Sequence, residues 1–414
     1  MAVINILFDF ITISIKTGAG EYQRRVVLNE LKRLKEQPEN NINVFALYDS
    51  SLGIAYDDMR EDTLGKEYNI TYIDIYKNNI NDIIEKYSIN RFFIACGQYI
   101  NSYPGIENVR CEVICVVHDL ARQELAWNHI DEYKDIISEK YDFKYNSGSN
   151  IINKTAYFQK IISLSKKIFK LRKISHSPKF GRDIDNIISL AINNPHAQII
   201  TVSNYSRNSL KYNFNIPDDK VKVLYAPERI YDKSSEIIEN KKLSDIVTKK
   251  TKYFLLIGAQ HKTKNPNKAI SAFKKYHSLN PESHLVVLGY NGKETDGIIS
   301  LPFLCDSDLQ NAYKNCYALL YPSFFEGFGY PPIEAMRYNK PVLCTNTTSV
   351  PEVLADAPIY FSPFYETDIF KALACLNDSN YNNYSELSNK RYMLIKEKQE
   401  ADLNTLLDIL SNTL

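Results

Sequence analysis

Short runs of apolar and β-branched residues alternate along the chain with stretches in which apolar positions recur at helical spacing. Strands that alternate with helices favour a parallel sheet, because each crossover helix returns the chain to the same edge. The first half contains six predicted strands, at residues 3–8, 44–48, 92–95, 113–117, 199–202 and 221–225. The second half contains five more, at residues 253–257, 284–288, 317–321, 341–344 and 359–361. The pattern therefore predicts an α/β protein with two parallel sheets.

The length and composition of the chain indicate two domains. Its 414 residues, of which 44% are hydrophobic, exceed what one ordinary core holds. Residues 227–250 are rich in charge and poor in apolar periodicity, which is typical of a surface linker with a short helix. We expect a helix at the end of the chain to pack back on the first domain. The predicted parts are a first domain at 1–225 with an extended helical region at 121–195, a linker at 226–250, a second domain at 251–385 and the C-terminal helix at 386–414.

Residues 321–337, YPSFFEGFGYPPIEAMR, combine a strand end, a glycine turn and a helix start. The two glycines of the turn let the backbone come close to a ligand, and prolines are favoured at a helix start because the first N–H groups lack intrahelical partners. A helix that begins near Pro331 directs its positive end at the same place, which suits a diphosphate. The predicted donor-binding residues of this turn are Gly327, Phe328, Gly329 and Tyr330.

Two carboxylates eight positions apart flank this turn. Glu334 falls in the predicted first turn of the helix, where its carboxylate could accept hydrogen bonds from both hydroxyls of a ribose. Glu326 precedes the turn and would lie nearer the sugar of a nucleotide sugar. The alternative is that both glutamates only favour the helix start.

Residues 321–363 resemble the signature of retaining glycosyltransferase family 4, the glycosyl transferases of group 1, whose members share a Glu-x7-Glu element. The resemblance continues through residues 339–344, NKPVLC, and residues 349–354, SVPEVL. Asn339 stands where glycine is usual, but asparagine also tolerates the left-handed conformation that ends helices. The resemblance implies the GT-B fold, in which two Rossmann-like domains with parallel sheets face each other across a cleft.

The resemblance also implies an activity. A retaining enzyme of this family would transfer a hexose from a nucleotide-diphosphate sugar to a hydroxyl of a glycan or lipid-linked acceptor. Glu326 would be a catalytic residue, and Glu334 would bind the donor. Synthesis of lipopolysaccharide or another bacterial surface polysaccharide is the expected setting, with mannosyltransferase among the expected activities.

A glycine loop follows the first predicted strand. Residues 17–22, TGAGEY, precede a helical pattern, so the glycines open a helix N-terminus that can accept a phosphate. Taken alone, such a loop is more typical of a packing turn. The resemblance implies that the loop faces the cleft and contacts the donor phosphate or the acceptor, and Gly20 is the donor-binding residue predicted there.

A histidine stands at the end of another predicted strand. His118 follows the apolar run 113–117, and α/β sheets bind ligands at the carboxyl ends of their strands. A histidine with only a structural hydrogen bond would fit the same position. The resemblance implies that His118 contacts the transferred sugar or its surroundings and belongs to the catalytic residues.

A polar loop at residues 259–265 precedes a predicted helix at 266–277. An ammonium beside a helix start suits a diphosphate, and the resemblance selects Lys264 for this contact. Ala259 and Thr263 replace arginines that occur in family members, which leaves fewer charges for the diphosphate. This difference keeps open a non-catalytic nucleotide-sugar-binding partner subunit. A related sugar phosphorylase or synthase is the other alternative.

The net charge and the cysteines indicate which partners and which cellular compartment the protein has. The net charge of +1 and the lack of a recognisable nucleic-acid module argue against nucleic acid as a partner. The seven cysteines form no CxxC pair, which indicates reduced thiols and a cytoplasmic protein. No cluster of histidine, cysteine and aspartate shows metal-ligand spacing, so we expect no metal and no cofactor, since the nucleotide sugar is a substrate.

The sequence predicts at most a peripheral contact with a membrane. No apolar run is long enough to span one, and the apolar start of the chain, which contains Asp9, is interpreted as a strand rather than a signal peptide. Residues 154–182 contain nine basic residues and no acidic one, with apolar positions at helical spacing. This pattern fits a helix packed on the first domain. It also fits docking to anionic lipid headgroups or a lipid-diphosphate acceptor at the inner face of the membrane.

Overall fold

The computed structural model of the chain describes most of both predicted domains. The basic segment 154–182 and nearly all of the predicted helical region 121–195 lie outside the described residues, and the predicted membrane contact lies there too. The described ranges are 3–11, 18–36, 41–50, 68–76, 78–97, 103–121, 189–191, 193–214, 216–229, 237–290 and 297–411, with residues 124, 292, 294 and 295.

Seven parallel strands form the first sheet. In chain order they are β1 (Ile4–Asp9), β2 (Ile42–Tyr48), β3 (Thr71–Asp74), β4 (Arg91–Ile94), β5 (Glu112–Val117), β6 (Ala197–Thr201) and β7 (Val221–Val223). Across the sheet the order is β3-β2-β1-β4-β5-β6-β7. The central strands β4 and β5 are buried at almost every position, as expected of parallel strands that are covered on both faces. The longer helices described in this half are α1 (Gly18–Glu36), α2 (Ile80–Lys86) and α3 (Asn204–Phe214).

Six parallel strands form the second sheet. They are β8 (Lys252–Leu256), β9 (Ser283–Leu288), β10 (Ile298–Leu301), β11 (Ala318–Tyr321), β12 (Val342–Thr345) and β13 (Ile359–Phe361). Their order across the sheet is β10-β9-β8-β11-β12-β13. The helices of this half are α4 (Lys241–Thr248), α5 (Pro266–Leu279), α6 (Asp306–Asn315), α7 (Tyr330–Arg337), α8 (Val350–Leu354), α9 (Glu366–Cys375) and α10 (Tyr381–Ser411).

The predicted α/β class with two parallel sheets is confirmed. Each of the eleven predicted strands lies within two residues of an observed strand. The apolar pattern of the sequence does not predict β3 and β10, which are four-residue strands at the edges of their sheets. An edge strand is covered less completely, and each of these two has at most two buried positions, so no long apolar run marks it.

The two halves share part of their apolar core. One continuous cluster of buried side chains includes Phe93 from β4, Tyr225 just after β7 and Leu319 from β11. Tyr225 packs edge-on against Phe328, with ring centroids 5.2 Å apart. The halves therefore meet through packed side chains as well as through the connecting chain.

Helix α10 starts in the second half and ends against the first. Its Asp402 carboxylate accepts a hydrogen bond from the backbone N–H of Tyr225 at 2.7 Å. Further along the helix, Asp408 pairs with Arg33 of α1 at 2.5 Å. The helix thus links the connecting segment and the first half, while the domain limits drawn from the sequence stay predictions.

The last turn of α10 covers a buried carboxyl group of α1. Ser411 donates a hydrogen bond from Oγ to Glu30 Oε1 at 2.8 Å. Burial raises the pKa of Glu30 from 4.5 to about 7, and Asp408 acts in the same direction, whereas Ser411, Arg33 and Arg91 lower this pKa. The Glu30 carboxyl is therefore partly protonated near neutral pH.

We expect the substitution Glu30→Gln to remove a pH dependence of stability. Between pH 4.5 and 7 the folded state binds more protons at Glu30 than the unfolded state does, so this stabilisation is complete below pH 4.5 and is lost as the pH rises through 7. A shift of one pKa unit corresponds to ~1.4 kcal/mol. As the pH rises through this range, the free energy of unfolding of the wild type should therefore fall by a few kcal/mol more than that of Glu30→Gln.

Urea unfolding at about pH 5 and about pH 8 measures this difference. Glu36→Gln, a change of the same kind at an exposed position of α1, is the control and should keep the wild-type profile. Parallel pH profiles for the wild type and Glu30→Gln would contradict the role given to Glu30.

Candidate active site

The glycine turn leads into α7 through a left-handed residue. Gly329 has a φ of 91° and immediately precedes the helix, which begins at Tyr330 and has prolines in its first turn. The helix thus starts one residue earlier than predicted, and the expectation that Glu334 lies in its first turn is wrong. Pro331 and Pro332 carry no N–H group, so Tyr330 and Ile333 supply the backbone N–H groups of that first turn.

Side chains from other elements hold the Glu334 carboxylate, which is only 7% exposed. Tyr313 of α6 donates its hydroxyl to Glu334 Oε2 at 2.5 Å. Arg229, in the connecting segment, brings Nη1 to 3.6 Å from Glu334 Oε1 and donates from Nη2 to Asp306 at 2.9 Å. Tyr313 and Arg229 are not predicted from the sequence, because neither lies in the motif that contains Glu334.

Glu326 and Lys264 are in direct contact. The Lys264 ammonium pairs with Glu326 Oε1 and also donates to the Tyr321 hydroxyl at 3.1 Å. The side chains of Lys264 and Glu326 are 23% and 11% exposed. Burial, with the nearby Glu326 carboxylate, raises the pKa of Tyr321 well above its usual value, so the phenol stays protonated.

The backbone of Glu326 is fixed by the loop that precedes α8. Thr348 accepts a hydrogen bond at Oγ1 from the N–H of Glu326 at 3.1 Å. Ser349 donates from Oγ to the Glu326 carbonyl at 2.9 Å. Ser323 donates its hydroxyl to Glu326 Oε1, so both the main chain and the side chain of this glutamate are held.

His118 follows β5 and is held by the neighbouring strand end. Its Nε2 lies 2.9 Å from the carbonyl oxygen of Ala95. Because a carbonyl oxygen only accepts, Nε2 carries the proton of this hydrogen bond and Nδ1 is the acceptor of the neutral ring. Burial lowers the pKa of His118, which favours this neutral form. The ring also packs edge-on against Tyr22, with centroids 5.0 Å apart.

Gly327 brings the two halves of the site together. An added Cβ at Gly327 would overlap the carbonyl oxygen of His118 and lie 2.9 Å from its carbonyl carbon. Only glycine allows this approach of the two backbones. The contact places His118 beside the turn that contains Glu326.

The remaining predicted residues lie around this contact. Gly20 is buried in the first turn of α1, two residues before Tyr22, which packs on His118. Tyr330 donates its hydroxyl to the carbonyl of Pro227 at 3.0 Å, and its ring packs edge-on against Phe328. The structure therefore places Lys264 with Glu326 and His118 with Gly327, whereas Glu334 is held separately by Tyr313 and Arg229.

The two positions that lack an arginine have other functions in the fold. Ala259 is buried in the apolar core of the second half. The carbonyl of Thr263 accepts the N–H of Phe324 at 2.9 Å. The loop at Thr263 thus supports the Glu326 turn through its backbone. Arg229 supplies a cation to the site that the sequence pattern does not predict.

Potential metal ligands are scattered in the part of the chain that the structure describes. No group of three or more histidine, cysteine, aspartate or glutamate side chains lies together among those residues. The polar groups that do converge are hydrogen-bond donors and acceptors of the kinds that bind hydroxyls and phosphates.

The second half of the chain is similar to a known protein family. Residues 238–374 match the family model described as glycosyl transferases group 1. O-antigen chain mannosyltransferase B of Escherichia coli is 32% identical over 185 residues, which are 40% of this chain and 47% of that protein. O-antigen chain mannosyltransferase RfbU of Salmonella typhimurium is 30% identical over 211 residues, 45% of this chain and 54% of that protein. The chain thus spans about half the length of the curated relatives it matches.

The fold is shared over nearly the whole chain with a solved structure. The crystal structure of a glycosyltransferase from Rickettsia africae ESF-5 superposes with a TM-score of 0.62 and 15% sequence identity, covering 99% of this chain and 98% of that one. At this level of identity, the likeness concerns the fold alone.

We expect Gly327→Ala to separate the two halves of the protein. The added methyl group must displace His118 or the turn, which should lower the free energy of unfolding by ~1–3 kcal/mol and increase the radius of gyration measured by small-angle X-ray scattering. Gly329→Ala is the control, because a Cβ there would be strained by the φ of 91° but would make only ordinary contacts, with Val350 at 3.7 Å and Tyr321 at 4.0 Å. That control should lose stability without a change in size. Equal radii of gyration for Gly327→Ala and the wild type would contradict the contact.

Proposed function

We propose that this protein is a retaining glycosyltransferase, because residues 238–374 match the family model of the glycosyl transferases group 1 and the chain has the GT-B fold. It transfers a hexose from a nucleotide-diphosphate sugar, bound by the second domain, to an acceptor hydroxyl bound by the first. The observation that carries the proposal is the grouping of Lys264, Glu326 and the start of α7 beside His118.

The second domain offers two kinds of positive charge to the leaving diphosphate. Helix α7 directs its positive end at the turn after Gly329, where Tyr330 and Ile333 supply the N–H groups of the first turn because Pro331 and Pro332 have none, and Lys264 places an ammonium next to the same turn. Negative charge grows on the diphosphate as its bond to the sugar breaks, so these groups stabilise the transition state more than the ground state. A diphosphate would share the Lys264 ammonium with the Glu326 carboxylate.

The transfer step breaks the bond between the anomeric carbon and the phosphate oxygen. The acceptor oxygen forms its bond to that carbon on the same face of the sugar, and the acceptor proton passes to the departing phosphate. Positive charge develops on the ring in an oxocarbenium-like transition state. In this proposal Glu326 orients the sugar through its hydroxyls and does not form a covalent intermediate.

His118 takes part as a neutral hydrogen-bond partner. Its Nε2–H is occupied by the Ala95 carbonyl, so Nδ1 is the atom that can accept a hydrogen bond from a sugar hydroxyl. Its lowered pKa keeps the ring uncharged at neutral pH, which avoids a cation beside the developing positive charge. Gly20, in the first turn of α1, completes the donor side as proposed from the family resemblance.

Glu334 binds the nucleoside part of the donor in this proposal. Its buried carboxylate is positioned by the Tyr313 hydroxyl and the Arg229 guanidinium, so it has a fixed orientation toward a ribose diol. Gly327, Phe328, Gly329 and Tyr330 form the turn between this carboxylate and Glu326.

We propose mannose as the sugar and a growing surface polysaccharide, glycan or lipid-linked, as the acceptor, because both curated relatives are O-antigen mannosyltransferases. Such acceptors are assembled at membranes, so the proposed location is the cytoplasmic side, with residues 154–182 as the contact with anionic lipid. Within the described ranges, no helix is long and apolar enough to cross a membrane.

The proposal can be tested first by ligand binding and then by transfer. The thermal shift of the purified protein with UDP, GDP, ADP and TDP, each with and without EDTA, should identify one base and be insensitive to EDTA. The corresponding sugar nucleotides, mannose donors included, are then supplied with lipid-linked and soluble glycan acceptors. Donor binding without transfer to any acceptor would favour a non-catalytic nucleotide-sugar-binding subunit.

We expect Glu326→Gln to separate catalysis from binding. The amide keeps the shape of the side chain but removes the carboxylate that contacts Lys264, so kcat should fall by roughly 100-fold or more. The dissociation constant of the nucleoside diphosphate should change little, because the proposed nucleoside contacts are made by Glu334. Glu397→Gln, an exposed change of the same type on α10, is the control. Normal turnover by Glu326→Gln would remove the central assignment.

We expect Glu334→Gln to remove discrimination between ribose and deoxyribose. A hydrogen bond to a buried carboxylate contributes about 1.5–3 kcal/mol, so the wild type should bind a nucleoside diphosphate at least about tenfold more tightly than its 2′-deoxy analogue. In Glu334→Gln the two ligands should bind with similar affinity, as measured by calorimetry. Glu326→Gln should keep the wild-type preference, and equal ratios for the wild type and Glu334→Gln would rule out the ribose contact.

A further inference from the structure

A carboxylate of the second domain caps a helix of the first. Glu352, on α8, accepts hydrogen bonds at Oε1 from the backbone N–H of Asn204 at 2.7 Å and from its side-chain Nδ2 at 2.9 Å. Its Oε2 accepts from the N–H of Tyr205 at 2.9 Å. Both oxygens of one side chain are therefore used across the domain boundary.

The start of α3 favours a carboxylate such as that of Glu352. Asn204 and Tyr205 are the first residues of α3, an eleven-residue helix whose first N–H groups have no partner within the helix. A negative charge at that end is favoured by the helix dipole, and hydrogen bonds to a carboxylate are shorter and stronger than neutral ones. Capping residues normally precede their own helix in sequence, whereas here the acceptor lies 148 residues away in the other domain.

The second-domain side of this contact is tied to Glu326. The loop immediately before α8 holds the Glu326 backbone through Thr348 and Ser349. The other end of α8 is held by Arg391 of α10, which donates from Nε to the Val353 carbonyl at 2.8 Å. A movement of α8 would therefore be transmitted to Glu326.

The first-domain side of the contact is tied to His118. Ser206, in the first turn of α3, donates from Oγ to the His118 carbonyl at 2.9 Å. The same carbonyl lies against Gly327, next to Glu326. The contacts thus form a closed ring that runs from Glu326 through α8, Glu352, α3 and His118 back to Gly327.

We propose that Glu352 is a positioning residue that sets the placement of His118 relative to Glu326 across the cleft. It acts through α3 and touches neither the donor nor the acceptor. This inference rests on the proposed function for its catalytic meaning, while the mechanical link between the domains is independent of it. An aromatic contact beside it, Phe325 against Tyr205 with centroids 5.9 Å apart, keeps the domains in contact when the carboxylate is removed.

The mechanical link is tested with spin labels in the full-length chain. Tyr212 on α3 and Leu279 on α5 are 91% and 70% exposed, and each is replaced by cysteine to carry a label. The two exposed native cysteines, Cys305 and Cys375, are changed to serine. The other five cysteines are buried and therefore do not compete for the label.

The expected result is a graded change in the distance between the labels. The wild-type background should give a narrow distribution, and Glu352→Ala a broader or shifted one. Glu352→Gln should fall between them, because its amide oxygen still accepts while its NH₂ group faces an N–H donor. Glu397→Ala, the same truncation at an exposed position, should leave the distribution unchanged. An unchanged distribution in Glu352→Ala would overturn the link.

Kinetics test the positioning role. In Glu352→Ala, kcat should fall roughly 10- to 100-fold, the range expected for a small misplacement of reacting groups. The dissociation constant of the nucleoside diphosphate should stay within about twofold, because the proposed donor contacts lie mainly in the second domain. Wild-type kcat in Glu352→Ala would overturn the positioning role. A wild-type chain that transfers no sugar would count against the proposed function alone, and the label distances would still decide on the link.

Discussion

The close approach of Gly327 to the His118 carbonyl is the constraint on which the site depends. The glutamate turn and the histidine come from different sheets, and neither could reach the other if residue 327 carried a side chain. Hydrogen bonds on both sides hold the two backbones in this position. Thr348 and Ser349 hold the turn on one side, and Ser206 holds the His118 backbone on the other. The site is therefore a property of the domain pairing rather than of either domain.

Each cation of the site contacts one or two carboxylates, and these contacts decide how the site can respond to a ligand. Lys264 faces Glu326, and Arg229 lies between Glu334 and Asp306. A buried charge is tolerated only when it is paired or hydrogen-bonded, so these contacts allow strong charges to be held in a partly desolvated cleft. An incoming diphosphate would share Lys264 with Glu326, and a ribose would add hydrogen bonds at the Glu334 carboxylate.

The local parts of this arrangement could be predicted from the sequence, and the long-range parts could not. The structure of residues 321–334 is predictable from their own sequence, because a glycine turn and a proline pair indicate a strand end and a helix start within one segment. The partners of Glu334 and Glu352 come from distant segments, and no spacing rule relates Arg229 or Asn204 to them. Helix α7 also begins one residue earlier than predicted, at Tyr330, directly after the left-handed Gly329.

The course of α10 has a consequence for the order in which the protein can fold during synthesis. Arg91 of the first sheet is buried and donates to the carbonyl of Leu410, and Glu30 accepts from Ser411, so two buried polar groups of the first domain take partners from the end of the last helix. The ribosome makes these partners only after the whole second domain has been translated. Until then, Arg91 and Glu30 of a nascent first domain would lack these partners. The first domain therefore reaches its native packing only when the end of α10 docks on it.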